Sequence, residues 1–265
     1  MSHRPRKRFG QNFLHDQSVI ERILDCVDPR PGQRLVEIGP GQGALTRGLL
    51  QRAGEADAIE LDRDLLQPLQ RLCAPLGTLH LHNADALKFD FRSLCTDQRR
   101  LRLVGNLPYN ISTPLLFHLI EQADAIEDMH FMLQKEVVDR MAAGPGSKTY
   151  GRLSVMLQVS CEVTKLFDIG PESFDPPPKV QSSVVRLQPL AQPRIPTDRI
   201  DDFSRFLSVA FGQRRKTLRN NLKGLLDSDR IAALGIEPGT RTETLGLAQL
   251  IRLHQAVSEK SQTVD

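Results

Sequence analysis

The run Asn106-Leu107-Pro108-Tyr109 sets an amide, a rigid imino acid and an aromatic ring at the end of an apolar strand pattern made by Leu101, Leu103 and Val104. That order suits chemistry on an amino group attached to an aromatic base. Such an amine is a poor nucleophile, because its lone pair is delocalised into the ring. Acceptors that take both of its hydrogens favour a pyramidal nitrogen whose lone pair is free to attack. The Asn106 side-chain oxygen can be one acceptor and the Leu107 carbonyl the other. Pro108 restricts the preceding residue to an extended backbone and so fixes the direction of that carbonyl. Tyr109 offers a flat face on which a base can stack. The reaction would be an in-line transfer, sped by alignment and electrostatics, with no covalent enzyme intermediate and no metal. The same residues also suit a plain strand-to-helix turn, with Ser112 or Thr113 capping the next helix.

A donor site is readable upstream. "EIGPGQGALT" (37–46) lies between a short apolar strand and a helix pattern. Glycines such as Gly39 and Gly41 let the backbone turn tightly and approach a ligand, and the helix N-terminus offers unpaired N–H groups. Glu60 ends the next strand, about 20 residues on, where an acid can accept hydrogen bonds from ribose hydroxyls. Asp85 follows the third strand, where a carboxylate can accept from an adenine amino group. The loop is not spelled G-x-G-x-x-G, and no lysine follows at Walker spacing, which argues against a dinucleotide or ATP. S-adenosylmethionine fits the set best. N-x-P-Y after a fourth strand is shared by enzymes that methylate adenine or cytosine amino groups and by some that methylate glutamine, so the motif gives the reaction and leaves the acceptor open.

The elements that must hold these residues alternate. Strand patterns at 34–39, 56–61, 78–85, 101–106 and 129–134 are separated by helical ones, which predicts βαβ units and a mostly parallel sheet. His80 and His82 alternate onto one strand face with no metal-ligand spacing around them. After Met141 comes a Gly- and Ser-rich loop carrying Lys148 and Arg152, then two long strand patterns around "PESFDPPPKV". "LAQPRIPTD" (190–198) reads as a linker, and beyond Asp201 only helical patterns remain. A boundary near residue 190 is expected, giving a catalytic domain over 1–190 and a helical domain over 191–265.

The composition is that of an ordinary globular protein, 40% hydrophobic and 25% charged. No stretch approaches the roughly 18 apolar residues of a membrane span. The basic start "MSHRPRKRF" lacks the apolar core of a secretory signal, and the four cysteines form no CxxC pair; both suit a reducing cytoplasm. Net charge is only +3, but basic residues cluster at Arg4, Arg6, Lys7 and Arg8 and again at Arg214, Arg215, Lys216, Arg219 and Lys223. At 3.6 residues per turn, Phe211, Leu218, Leu222 and Leu225 share a stripe beside an arc of Arg215, Lys216, Arg219 and Lys223. A single helix gripping phosphates is expected there, although a solvated face over a leucine-packed helix has the same pattern.

In order along the chain, "GQNFL", "EIGPGQGALT", "IELD", "NADAL", "GNLPYNIST", "FDPPPKVQSSVVRL" and "FGQRRKTLRNNL" resemble the KsgA (RsmA) family of small-subunit rRNA adenine N6,N6-dimethyltransferases over nearly the whole length. The resemblance implies a class I S-adenosylmethionine-dependent methyltransferase fold: Rossmann-like, with a mostly parallel seven-stranded sheet and a small all-α C-terminal domain. It implies that Gln11, Asn12 and Leu14 help enclose the cofactor, that Gly39 and Gly41 line its methionine end, and that Glu60 holds the ribose. Leu61 and Ala86 would flank the adenine, with Asp85 at its amino group and Asn106 touching both cofactor and target. Phe174 would stack on the target base opposite Tyr109; without the family it reads as a loop anchor in an apolar cluster. The expected substrate is 16S rRNA within an immature 30S subunit, two adjacent adenines being dimethylated, by a monomer with no membrane or metal partner. The basic residues 6–8, Lys148, Arg152 and the 214–223 cluster are the expected RNA contacts. Two alternatives stand beside this. One is the antibiotic-resistance methyltransferase of 23S rRNA, which shares QNFL and the helical tail. The other is a non-catalytic assembly or transcription factor on the same fold, against which the intact N-L-P-Y and cofactor acids speak.

Overall fold

The computed structural model describes residues 12–108 and 111–262. Strands β2 (Arg34–Ile38), β3 (Glu55–Glu60), β4 (Thr78–Asn83), β5 (Leu101–Asn106), β6 (Ile126–Gln134), β7 (Cys161–Ile169) and β9 (Ser182–Pro189) form one seven-stranded sheet in the order β4-β3-β2-β5-β6-β9-β7. The pairs from β4 to β6 are parallel, and β6 pairs with β9 antiparallel. Central strands of a parallel sheet are covered on both faces, which explains why β2 and β5 read as almost unbroken buried runs. The chain moves outward from β2 to β3 and β4 on one side, and to β5 and β6 on the other. The crevice at the carboxyl ends of β2, β3 and β5 is therefore the topological switch point of the sheet. Gly105 is required where β5 nears β2, because a Cβ there would lie 2.5 Å from the Ile38 carbonyl oxygen.

A second, two-stranded sheet pairs β1 (Phe13–Leu14) antiparallel with β8 (Phe174–Asp175), with Phe13 opposite Asp175 and Leu14 opposite Phe174. The chain then enters α1 (Gln17–Val27), capped by Asp16, whose carboxylate accepts from the N–H groups of Ser18 and Val19. Helices α2 (Ala44–Ala53) and α3 (Arg63–Cys73) complete the first βαβ steps, and α4 (Ser112–Ile120) follows β5. The N-cap of α4 is Ile111, without a side-chain cap bond. Neither Ser112 nor Thr113 takes that place, since both are already helical. His80 and His82 reach across to β3, to Glu55 at 3.0 Å and Asp57 at 2.7 Å.

The chain divides into two compact units, and a single cut near residue 190 does not describe them. One unit holds the residues through Val138 together with Glu162–Pro189; the other holds Asp139–Cys161 together with the chain from Leu190 onward. The segment 139–161 joins the helical unit because its polar groups are met there. Leu190 N–H donates to the Ser160 carbonyl and Arg194 N–H to that of Val159, both at 2.8 Å, and the Tyr150 hydroxyl donates to the Leu245 carbonyl at 3.1 Å. α5 (Lys135–Met141) spans the division at Val138; besides α6 (Arg152–Gln158), the second unit contains α7 (Ile200–Ala210), α8 (Leu218–Asn221), α9 (Ser228–Ala233) and α10 (Leu247–Gln262). No helix among the described residues is long and apolar enough to cross a membrane.

The helix expected through 211–225 is broken. α7 stops at Ala210, and α8 begins only after Thr217, whose backbone is extended. The Asn221 side chain turns back and donates to the carbonyls of Ala210 at 2.9 Å and Gln213 at 3.2 Å, satisfying the helix end in place of a further turn. Arg215, Lys216, Arg219 and Lys223 thus stand on turns and one short helix, exposed, rather than along one arc.

Candidate acceptor and cofactor site

A cavity of about 340 Å³ opens at the switch point, within the size range of small-molecule sites. Its lining brings together residues from five separate stretches of the chain. Asn12 and Leu14 come from the β1 segment, Gly39 and Gly41 from the loop after β2, and Glu60 and Leu61 from the end of β3. Asp85 and Ala86 follow β4, and Asn106, Leu107 and Pro108 close the end of β5. All of these are site residues read from the sequence. Gln11 and Tyr109 lie outside the described residues, as do Arg6, Lys7 and Arg8.

The loop 39–43 is shaped for close approach. Gly39, Gly41 and Gly43 all have positive φ, and a Cβ on Gly41 would sit 3.1 Å from the Phe13 ring. Glu60 is buried, and its two carboxylate oxygens are positioned by main-chain donors, Gly41 N–H at 3.2 Å and Asp62 N–H at 2.7 Å. Burial raises its pKa, and those two bonds pull the other way. Each carboxylate oxygen has a second lone pair, so Glu60 can still accept from a ligand hydroxyl. Asp85 is half-buried, and one of its oxygens accepts from Leu87 N–H at 3.0 Å.

At the other end of the cavity, the Asn106 amide nitrogen donates to the Asn12 carbonyl at 3.0 Å. Its side-chain oxygen is thereby the atom left to accept. Leu107 is pinned through its own N–H to the Met132 carbonyl at 3.1 Å, while Pro108 begins the turn into α4. An amine brought to this end would meet two candidate acceptors at the end of β5, whose residues are held by the Asn12 and Met132 carbonyls.

Phe174 is not at the cavity. It is 2% exposed, inside the apolar cluster that includes Leu14, Ile20 and Leu24, because β1–β8 pairing turns it inward. Its surroundings are those of a loop anchor in an apolar cluster; Tyr109, opposite which it would stack on a base, lies outside the described residues. Two of the lining residues not singled out from the sequence shape the site. Phe13 packs against the Gly41 turn. Glu37, wholly buried, accepts from the Thr46 hydroxyl at 2.5 Å. Burial, with a smaller contribution from Glu60, pushes the Glu37 carboxyl up to about 8 despite that bond. Its signal was present, as an acid opening the glycine loop inside an otherwise apolar strand.

In the helical unit, Lys148, Arg152, Arg215, Lys216, Arg219 and Lys223 are exposed. Arg214 is exposed too; its guanidinium pairs with Glu243 at 2.9 Å and donates to the Lys148 carbonyl. Arg152 donates to the Ser204 hydroxyl at 2.7 Å. Among the described residues no group of three or more His, Cys, Asp or Glu could hold a metal ion.

The profile of the ribosomal RNA adenine dimethylase family matches residues 2–259. The chain is 58% identical over 260 residues to the ribosomal RNA small subunit methyltransferase A of Methylococcus capsulatus, covering 97% of this chain and 100% of that one. It is 55% identical over 258 residues to the protein of the same name from a Marinomonas species, covering 97% of each. Among solved structures, a dimethyladenosine transferase from Plasmodium falciparum superposes with a TM-score of 0.79 at 25% identity, over 94% of this chain and 98% of that one. The 23S rRNA methyltransferase ErmE superposes with a TM-score of 0.74, also at 25% identity, over 93% of this chain and all of the other.

Proposed function

The chain belongs to the ribosomal RNA adenine dimethylase family and is an rRNA adenine dimethyltransferase; we propose that it uses S-adenosylmethionine to dimethylate two adjacent adenines in a hairpin near the 3′ end of 16S rRNA, within an immature 30S subunit. Small-subunit rather than 23S rRNA is favoured by the relatives at 55% and 58% identity, against 25% for ErmE. The observation that carries the site assignment is the convergence of Gly39, Gly41, Glu60, Asp85 and Asn106 on one cavity at the carboxyl edge of the sheet.

The residues fit the cofactor. The positive-φ glycines and the space beside Phe13 accommodate its methionine end, Glu60 takes the ribose hydroxyls, and Leu61 and Ala86 flank the adenine with Asp85 at its amino group. The cofactor supplies an electrophilic methyl group on a sulfonium. The protein's part is to present the target amine. The Asn106 side-chain oxygen and the Leu107 carbonyl accept its two hydrogens and favour the pyramidal nitrogen, and Pro108 holds the carbonyl's direction. Tyr109 stacks on the base. After the first transfer, the single remaining N–H re-engages one acceptor, and the released proton leaves to water.

The exposed cations of the helical unit, Lys148, Arg152, Arg215, Lys216, Arg219 and Lys223, would grip phosphates and position the RNA without reading bases. The basic residues 6–8 are a second candidate contact. Labelled cofactor incubated with immature small and large subunits tests the proposal. N6,N6-dimethyladenine in 16S rRNA is the expected product by mass spectrometry. Label confined to 23S rRNA, or monomethyladenine alone at long times, would refute it.

A further inference from the structure

The bond from the Asn106 amide to the Asn12 carbonyl decides more than a rotamer. An amide's oxygen and nitrogen are told apart by their partners, and a carbonyl can only accept. With the nitrogen committed to Asn12 at 3.0 Å, the oxygen occupies the other edge of the planar amide and points away from that carbonyl. The Asn12 carbonyl is itself held in place. The next two residues pair with Asp175 and Phe174, and His15 N–H donates to the Ser173 carbonyl at 3.0 Å. The Ser173 hydroxyl in turn donates to Asp16 at 3.2 Å, and both Leu14 and Phe174 are buried. The strand β1 is thus a fixed strap whose leading carbonyl faces the end of β5.

We propose that the main-chain carbonyl of Asn12 is the positioning group for the Asn106 side chain, and the reason residue 106 must be an amide rather than a carboxylate. This rests on the reading of Asn106 as an acceptor for the target amine. Acceptance alone would be served at least as well by a carboxylate, whose charge strengthens the bond. The strap forbids it. An ionised carboxylate at 106 would set an oxygen against the Asn12 carbonyl oxygen, remove the N–H that donates to it, and swing away from the amine. A protonated carboxylic acid has the amide's shape, donating through O–H to Asn12 and accepting through its carbonyl.

The test compares single-turnover methyl transfer to immature small subunits by the full chain, N106D and N106A across pH 6–8. The ratio of the N106D rate to the wild-type rate is expected to rise about tenfold for each unit by which pH is lowered, following the protonated fraction of the introduced carboxyl. N106A is expected to stay low at every pH, with no such trend. A ratio for N106D that is flat with pH, whatever its height, would overturn the proposal, because the carboxylate would then serve or fail irrespective of its proton. Wild-type rates in N106A would instead remove the acceptor reading beneath it, a result distinct from a flat N106D ratio.

Discussion

At the switch point of the sheet, the polar groups are buried or half-buried and held by the main chain. Glu60 accepts from two backbone N–H groups, and Asn106 donates to a backbone carbonyl. In the helical unit, the cations that could meet RNA stand exposed on turns. The backbone beneath them is held by side-chain bonds, a part-buried one from Asn221 to Ala210, an exposed one from Asn221 to Gln213, and a buried one from Thr242 to Ala210 at 2.6 Å. The difference follows from the two tasks. Aligning a methyl group with a nitrogen lone pair tolerates little displacement, so each acceptor is held by a strand end. Attraction to a polyanion depends on the number and rough placement of charges, so a stiff backing with mobile side chains is enough.

That contrast can be broken. If it holds, single changes near the cavity have larger effects than changes among the exposed cations. Phe174→Ala should destabilise the fold by about 3–5 kcal/mol in urea unfolding, as a large core truncation does. Weakened RNA binding at unchanged stability would instead return Phe174 to a stacking role. Asn106→Ala should lower single-turnover methyl transfer by about 100-fold or more, the scale of losing a preorganised electrostatic contact, while RNA binding survives. Glu60→Ala should weaken cofactor binding by roughly 1.5–3 kcal/mol in calorimetry, through lost hydrogen bonds to a charged group. Across in the helical unit, Asn221→Ala removes one donor each from the Ala210 and Gln213 carbonyls, which keep the Thr242 hydroxyl and the Lys216 N–H. A loss of about 0.5–1.5 kcal/mol in unfolding free energy is expected, with methyl transfer to bound substrate unchanged. The smallest effect should come from reversing Arg215 and Arg219 to Glu. The salt slope of binding to small subunits should flatten by about one unit per lost phosphate contact, at unaltered cofactor affinity. An unchanged slope would move the RNA contact elsewhere, the basic residues 4–8 being the other candidates.

Legibility in the sequence divides along the same line. The alternating strands and helices, the glycine loop and the acids at strand ends are set by local periodicity and by φ, and both leave marks on neighbouring residues. Asn106 was readable because Pro108 and the preceding apolar run constrain it locally. What escaped depends on partners far along the chain. Phe174 is buried because residues 13–14 pair with it, about 160 positions away. The helix at 211–225 fits its apolar stripe, yet a side chain at 221 ends it after Ala210. Nothing local marks 139–161 as part of the helical unit, whose groups reach it from residues 190 to 245.

That interleaving bears on how the chain is made and inherited. Residues 139–161 leave the synthesis machinery well before the residues that meet their polar groups. The Gly146 N–H waits for the Glu243 carbonyl, nearly a hundred positions later, and the Ser160 carbonyl waits for Leu190. Through that interval the sheet can assemble only around an unfinished insertion. A stop codon near residue 190 would therefore leave the Gly146 N–H and the Tyr150 hydroxyl, in the middle of the chain, without the carbonyls of Glu243 and Leu245.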